Sequence, residues 1–275
     1  MRSCRATALG ARNGAGSYTN DGCIGGIAGI STVVSPPETV KAGYLGQLSE
    51  VGSLSVTGTP ASVNEGGASQ LGGAAAMDDD TITALTGSEV AWNAPSWPVS
   101  SISASGLALA TNVYQNTAGN FSGRYFGVLG SGSLLVLDSL PDNYGTYAGD
   151  GLPDSWQNQY FGLDNPNAAP SVDVTGTGQN NLFKCTAGLD PTNPASVFWL
   201  RIEVVAGQPN QKRLLFNPRW TDRTYTPMFR TNLVGGADWT NLLATTVSDN
   251  GAERTVTDTN AINNARFYRI QITCP

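Results

Sequence analysis

The stretch SLSVTGTPASVNEG, residues 53–66, alternates apolar and small polar residues and then breaks. Successive side chains of a strand leave on opposite sides, so Leu54 and Val56 share one face. Gly58, Thr59 and Pro60 end the run, because Gly and Pro punctuate a strand and Pro cannot donate to a ladder. The same pattern recurs downstream. SEVAWNA (88–94) sets Val90 and Trp92 inward, SSISASGLALA (100–110) reads as strand, Ser-Gly turn and strand, and SGSLLVLDS (131–139) closes the segment with a buried-looking run. Strands at such spacing, with turn residues between them, predict a β-sandwich over residues 49–140.

The C-terminal part repeats the theme. In VFWLRIEVV (197–205), Phe198, Leu200, Ile202 and Val204 lie on one side and Trp199, Arg201 and Glu203 on the other. RLLFNPRW, RTYTPMFRTNL, DWTNLLATT and ERTVTDT add short strands, and RFYRIQIT puts Tyr268, Ile270 and Ile272 on a common face. About seven strands predict a second compact sandwich over residues 197–275, similar in size to fibronectin type III modules. Cys274 shares the inward parity, so a buried thiol and a disulfide both fit it. Residues 1–48 are Gly-rich, with apolar runs at Ile27–Ile30 and Val33–Val34 around Pro36 and Pro37. One or two strands are expected there, docking on a neighbour; a strand lent to the sheet edge of a second copy would build a polymer.

Between the sandwiches, residues 141–196 change character. DGLPDSWQNQYFG has a helix start at Leu152-Pro153-Asp154, Trp156 and Tyr160 four apart on one helical face, and a Gly162 stop. A second short helix, about Gln179–Ala187, ends at Gly188. The fold class expected is therefore all-β: two β-sandwich domains joined by a short helical linker. A unit this small buries little surface and usually needs a metal or a neighbour.

Composition excludes several functions. Charged residues are 13% of 275, the net charge is −6, and no basic cluster occurs, which argues against nucleic acid as a partner. There is no histidine, so Ser-His-Asp and Cys-His catalysis and imidazole metal ligation are ruled out. A two-carboxylate hydrolase would need paired acids in a cleft, yet Glu38, Glu50, Glu65, Glu89, Glu203 and Glu253 are scattered through polar or turn-like settings. Cys4, Cys23, Cys185 and Cys274 fit no zinc spacing; disulfides and four unrelated thiols are both open. No segment approaches the ~20 apolar residues of a membrane helix. The first residues have no apolar h-region, so the chain is expected to be a piece of a longer exported protein.

The chemistry concentrates in DVTGTGQNNLFK (173–184). A calcium loop places oxygens at alternate positions so that they turn to one centre. With Asp173 first, Gly178 falls at the bend, Gln179 at a place served by its backbone carbonyl, and Asn181 at an oxygen position. Thr175 and Thr177 stand where acids belong, and Lys184 stands at the twelfth place, where the loop wants a bidentate acid. Weak calcium and a hydrogen-bonded helix-turn-helix joint, with Thr and Asn satisfying the backbone, are both open.

Two resemblances follow from these residues. LSVTGTPASVNEGGASQL, EVAWNA and SSISASGLALA resemble the bacterial immunoglobulin-like domain (group 2) of surface adhesins, over about 90 residues. That implies a rigid extracellular spacer or adhesive module without catalysis. AGDGLPDSWQNQYFG and DVTGTGQNNLFKCTAGLDPTN resemble the calcium box of thrombospondin type 3-like and dockerin-like repeats in large secreted bacterial proteins. Carried over residue by residue, Asp150 and Asp154 match ligands of the first half, Asp173 and Asp190 of the second, and Asn181 supplies an oxygen; Thr146 and Ala148 bring no acid to the first loop. The C-terminal sandwich resembles terminal modules of large exported bacterial proteins, which implies anchoring or sorting.

Together these imply a non-enzymatic, extracellular or cell-surface protein acting in adhesion, spacing or assembly, with itself or other surface proteins as partners. The alternative is a carbohydrate-binding module for polysaccharide, detached from an exported enzyme. It needs exposed aromatics, with Trp97, Trp220 and Trp239 as candidates.

Overall fold

The computed structural model describes the backbone of residues 10–15, 18–23, 29–34 and 37–42, and in full residues 50–234, 238–262 and 265–274. The fold is all-β, with two short α-helices among the described residues. The chain forms two compact units, Met1–Thr111 with Asn116–Leu137, and Asn112–Gln115 with Asp138–Pro275.

The Gly-rich start holds four strands where one or two were expected: β1 (Gly10–Ala15), β2 (Tyr18–Cys23), β3 (Gly29–Val34) and β4 (Pro37–Ala42). They form an antiparallel meander in the order β1-β2-β3-β4. Ile30, Val33 and Val34 lie in β3, which is paired on both sides within this sheet, so that run is not a spare strand. Cys4 and Ile27 lie outside the described residues.

The sandwich of the first unit has nine further strands. β5 (Val51–Thr59), β7 (Ala68–Met77), β8 (Ile82–Leu85), β10 (Val99–Ile102) and β11 (Leu107–Ala110) make one sheet. β6 (Ser62–Asn64), β9 (Ala91–Trp92), β12 (Thr117–Tyr125) and β13 (Val128–Leu137) make the other. Alternation does the sorting: Leu54, Val56, Leu71 and Val90 are buried with Phe121, Leu134 and Val136, while Leu135 between the last two is exposed. The two sheets meet closely at β13. A Cβ on Gly130 would sit 2.7 Å from the Leu54 carbonyl oxygen, and one on Gly132 2.7 Å from that of Val56. Glycine in this strand is therefore a packing requirement. Trp92 is half-buried, its indole N–H donating to the Gly87 carbonyl at 2.7 Å and its ring set edge-on to Phe121. Trp97 is 42% exposed.

The second unit begins with the helical segment. Helix α1 (Asp154–Phe161) begins after Pro153 and is stopped by Gly162, and Trp156 and Tyr160 pack ring to ring at 5.1 Å. Helix α2 (Asn181–Ala187) starts where the Asn180 side chain accepts the Phe183 N–H and ends at Gly188 in the left-handed conformation. The strands follow in two sheets. β14 (Trp199–Val205), β15 (Gln208–Asn217), β18 (Thr245–Asn250) and β19 (Glu253–Asp258) form the first; β16 (Thr224–Arg230), β17 (Thr240–Asn241) and β20 (Phe267–Thr273) form the second.

The core of this β module is Leu214, Phe216, Tyr225, Leu242 and Val256, with Phe198, Leu200, Tyr268, Ile270 and Ile272 packed against it. The inward face expected of β14 is only half realised, because Ile202 is 48% and Val204 68% exposed. The β14–β15 hairpin runs past the cluster there, toward its exposed turn at Ala206–Gly207. Cys274 is exposed despite its inward parity. No helix among the described residues is long and apolar enough to cross a membrane.

Candidate functional site

The expected ligand residues fall into two groups. In the first, Asp154 is buried at the start of α1, and its Oδ2 accepts the N–H groups of Asn143 (2.7 Å) and Tyr144 (2.8 Å). Asp150 accepts from the Leu152 N–H at 2.9 Å and from the Gln157 amide at 2.9 Å. Asp142, which no spacing rule singled out, accepts the N–H groups of Gly149, Asp150 and Gly151. Burial, together with the charges of Asp142 and Asp150, outweighs the two N–H bonds and pushes the Asp154 carboxyl above its ordinary range. These three carboxylates thus organise the turn before α1 through backbone N–H groups.

The second group surrounds Lys184. Asp173 Oδ2 accepts the Gly178 N–H at 2.6 Å, and its Oδ1 accepts the Thr175 hydroxyl at 3.1 Å. Lys184, 1% exposed, is among the largest fully buried side chains described. Its ammonium donates to Thr175 Oγ1 at 2.7 Å, so ammonium, hydroxyl and carboxylate form a relay. Desolvation pulls Asp173 upward, but the Gly178 and Thr175 bonds and the Lys184 charge outweigh it and hold the carboxyl below its ordinary range. Asp190 is held low by the Thr192 hydroxyl first, then by the Thr192 and Asn193 N–H groups and by Lys184. Two of the predicted acids therefore feel one buried cation.

Asn181 is not turned to that centre. Its amide nitrogen donates to the carbonyls of Asn167 (2.7 Å) and Ala169 (2.9 Å), while Gln157 reaches Ala168 O from the α1 side at 3.1 Å. The two side chains clamp the turn between the helices. The residues present do not fit calcium in the second loop: an ammonium is buried at its twelfth position and bonded to its third, and two uncharged Thr replace acids. Among the described residues no group of three or more acids or thiols is arranged to hold a metal.

The helical segment is bound to the β module. Gln179 pairs with the Phe198 backbone. Phe183 meets the Phe198 ring at 6.1 Å. Arg223 Nε donates to Thr186 O at 2.9 Å, and Arg223 also pairs with Asp222. An arginine on the last carbonyls of α2 is a favourable C-terminal partner.

Beside this contact lies a cleft of about 600 Å³ lined by Trp156, Tyr160, Trp220, Arg223 and two thiols, Cys185 and Cys274. Trp220 is 43% exposed. Burial first, then the neighbouring Cys274, pushes the Cys185 thiol up to about 11. Trp239 is elsewhere in the unit, half-buried, with the guanidinium groups of Arg230 and Arg269 at 4.9 and 4.6 Å from its ring centre. Trp97 belongs to the first unit, and of Trp220 and Trp239 only Trp220 lines this cleft, where it is joined by Trp156 and Tyr160, whose helical spacing was the visible signal. No protein-family model matches the chain, and no curated protein matches it.

Proposed function

We propose that this chain is a non-enzymatic module of an exported or cell-surface protein, acting in adhesion, spacing or extracellular assembly. The observation that carries this reading is the way the acids are used. Asp142, Asp150, Asp154 and Asp173 accept backbone N–H groups and order turns, and the turns are fastened to a β module through Gln179 and Arg223. A load-transmitting spacer needs joints of this kind, in which short segments do not unravel independently. The purified chain should bind a surface polymer or a second copy without converting anything. Steady release of product from polysaccharide, ester or peptide substrates would overturn the reading.

A second reading, polysaccharide binding, is favoured by the Trp156–Tyr160–Trp220 cleft. Aromatic faces stack on sugar rings, while Arg223 and Asp222 offer polar groups at the rim. Affinity electrophoresis against a polysaccharide panel tests it: retardation that Trp220→Ala abolishes, with an unchanged melting curve, supports the cleft. Retardation unaffected by Trp220→Ala and Trp156→Ala removes it.

A further inference from the structure

We propose that Lys184 is the resident cation of the 173–184 loop, its ammonium standing in for a metal ion, so that the joint is ordered without calcium. Burial, one hydrogen-bonded chain and one longer-range charge effect lead there. The side chain enters from α2 and is 1% exposed. Its ammonium lies 2.7 Å from Thr175 Oγ1, at the third position of the loop, and Thr175 in turn donates to Asp173 at the first. Asp190, beyond the end of α2, feels the same charge from the far side of the sequence.

The chemistry is that of charge conservation. A calcium loop gathers acids because it must neutralise a dication; this loop has exchanged two acid positions for Thr175 and Thr177 and one for a lysine. The exchange lowers the negative charge and supplies the positive charge covalently. A covalent cation costs no binding equilibrium, so the loop stays folded at any calcium concentration, whereas a metal-held joint follows the metal by mass action. The inference goes beyond the proposed function and survives if that reading fails, since it concerns only what holds the loop.

The test uses the full chain and calcium alone as the probe. The wild type is expected to melt at the same temperature in millimolar calcium and in chelator, with no heat of titration. Lys184→Met should melt at least ~3 °C lower, since the loop loses its counter-charge. Lys184→Glu should be weaker still in chelator and regain stability in millimolar calcium. Should Lys184→Glu fail to fold, a double-mutant cycle decides: Asp173→Asn is expected to cost clearly more in the wild type than in the Lys184→Met background. A calcium-dependent rise in the wild-type melting temperature overturns the proposal. So does a Lys184→Met variant as stable as the wild type, or strict additivity in the cycle.

Discussion

Gln179 pairs with Phe198 as one strand residue pairs with another. Its side-chain N–H donates to the Phe198 carbonyl at 2.6 Å, and its side-chain oxygen accepts the Phe198 N–H at 2.9 Å. Both backbone groups lie just before β14, outside its ladder with β15, and an unserved, half-buried pair is costly. Gln179→Ala is expected to destabilise the second unit by about 1–3 kcal/mol. Hydrogen exchange at the Phe198 amide should accelerate more than at Leu214, deep in the module. Unchanged exchange at Phe198 would show that the contact does not hold the two parts together.

Gly188 ends α2 at φ 71°, and a Cβ placed there would meet Trp220 Cδ1 at 2.9 Å and Arg223 Cζ at 3.0 Å. Two penalties therefore coincide in Gly188→Ala. The left-handed conformation costs an L-residue about 1 kcal/mol, and Trp220 and Arg223 must shift, which loosens the guanidinium bond to Thr186 O. The variant should lose about 1–3 kcal/mol by chemical denaturation. Because Trp220 lines the cleft, its fluorescence maximum should also move. A variant of wild-type stability with unaltered emission would show that the site relaxes freely.

How much of this was legible in the sequence follows from which forces leave a local trace. Alternation marked β5, because Leu54 and Val56 are buried between exposed neighbours, inside as read. The same rule failed at Ile202 and Val204, since whether a hairpin outruns its core depends on strands far along the chain. Helix ends were visible at Gly162 and Gly188 because left-handed termini select glycine. The meander β1–β4 was under-read because Gly-rich strands lack apolar alternation. The acids of the joint were visible, but their partners are backbone N–H groups, which every residue carries. Asp142 bonds to positions seven to nine residues on, and no spacing rule marks that distance. Lys184 was visible as a misfit at a ligand position; that it turns inward required the fold.

Acid should weaken the second unit, and the direction follows from its aspartates. Asp164, held by the Thr146 hydroxyl and N–H, Asp222, held by Arg223, and Asp249, held first by Arg254 and then by Arg219, sit below the ordinary range, as do Asp173 and Asp190. Each contributes stability that is present above the unfolded value of about 3.9 and lost as pH falls through the lower folded value. Asp154 runs the other way: its raised carboxyl contributes most in acid and loses that as pH rises through its folded value. Five lowered groups against one raised predict a melting temperature that declines steadily from about pH 5 to about pH 2.5. Calorimetry over that range checks it, and a flat or rising profile would mean these contacts persist in the unfolded chain.

Asp258 carries the heaviest polar load in the β module. It is fully buried, accepts the Asn260 N–H at 2.9 Å and the Tyr268 hydroxyl at 2.7 Å, and pairs with Arg266, whose guanidinium carbon lies 4.1 Å from the centre of the Phe229 ring. Burial first, then the bond to Asp258, raises the Tyr268 phenol above its ordinary value. Asp258→Asn keeps the shape and removes the charge, leaving Arg266, whose side chain is 10% exposed, opposite a neutral amide. Removing one partner of a buried pair costs about 3–5 kcal/mol, whereas exchanging both for apolar groups is often neutral. Asp258→Asn should therefore be severely destabilised, and adding Arg266→Met should recover a substantial part of the loss. In the single variant, where it folds, the latest-titrating tyrosine should ionise at lower pH, since the carboxylate that repels a phenolate is gone. A mild cost for Asp258→Asn, or no recovery in the double variant, would locate the stability of this module in its apolar cluster alone.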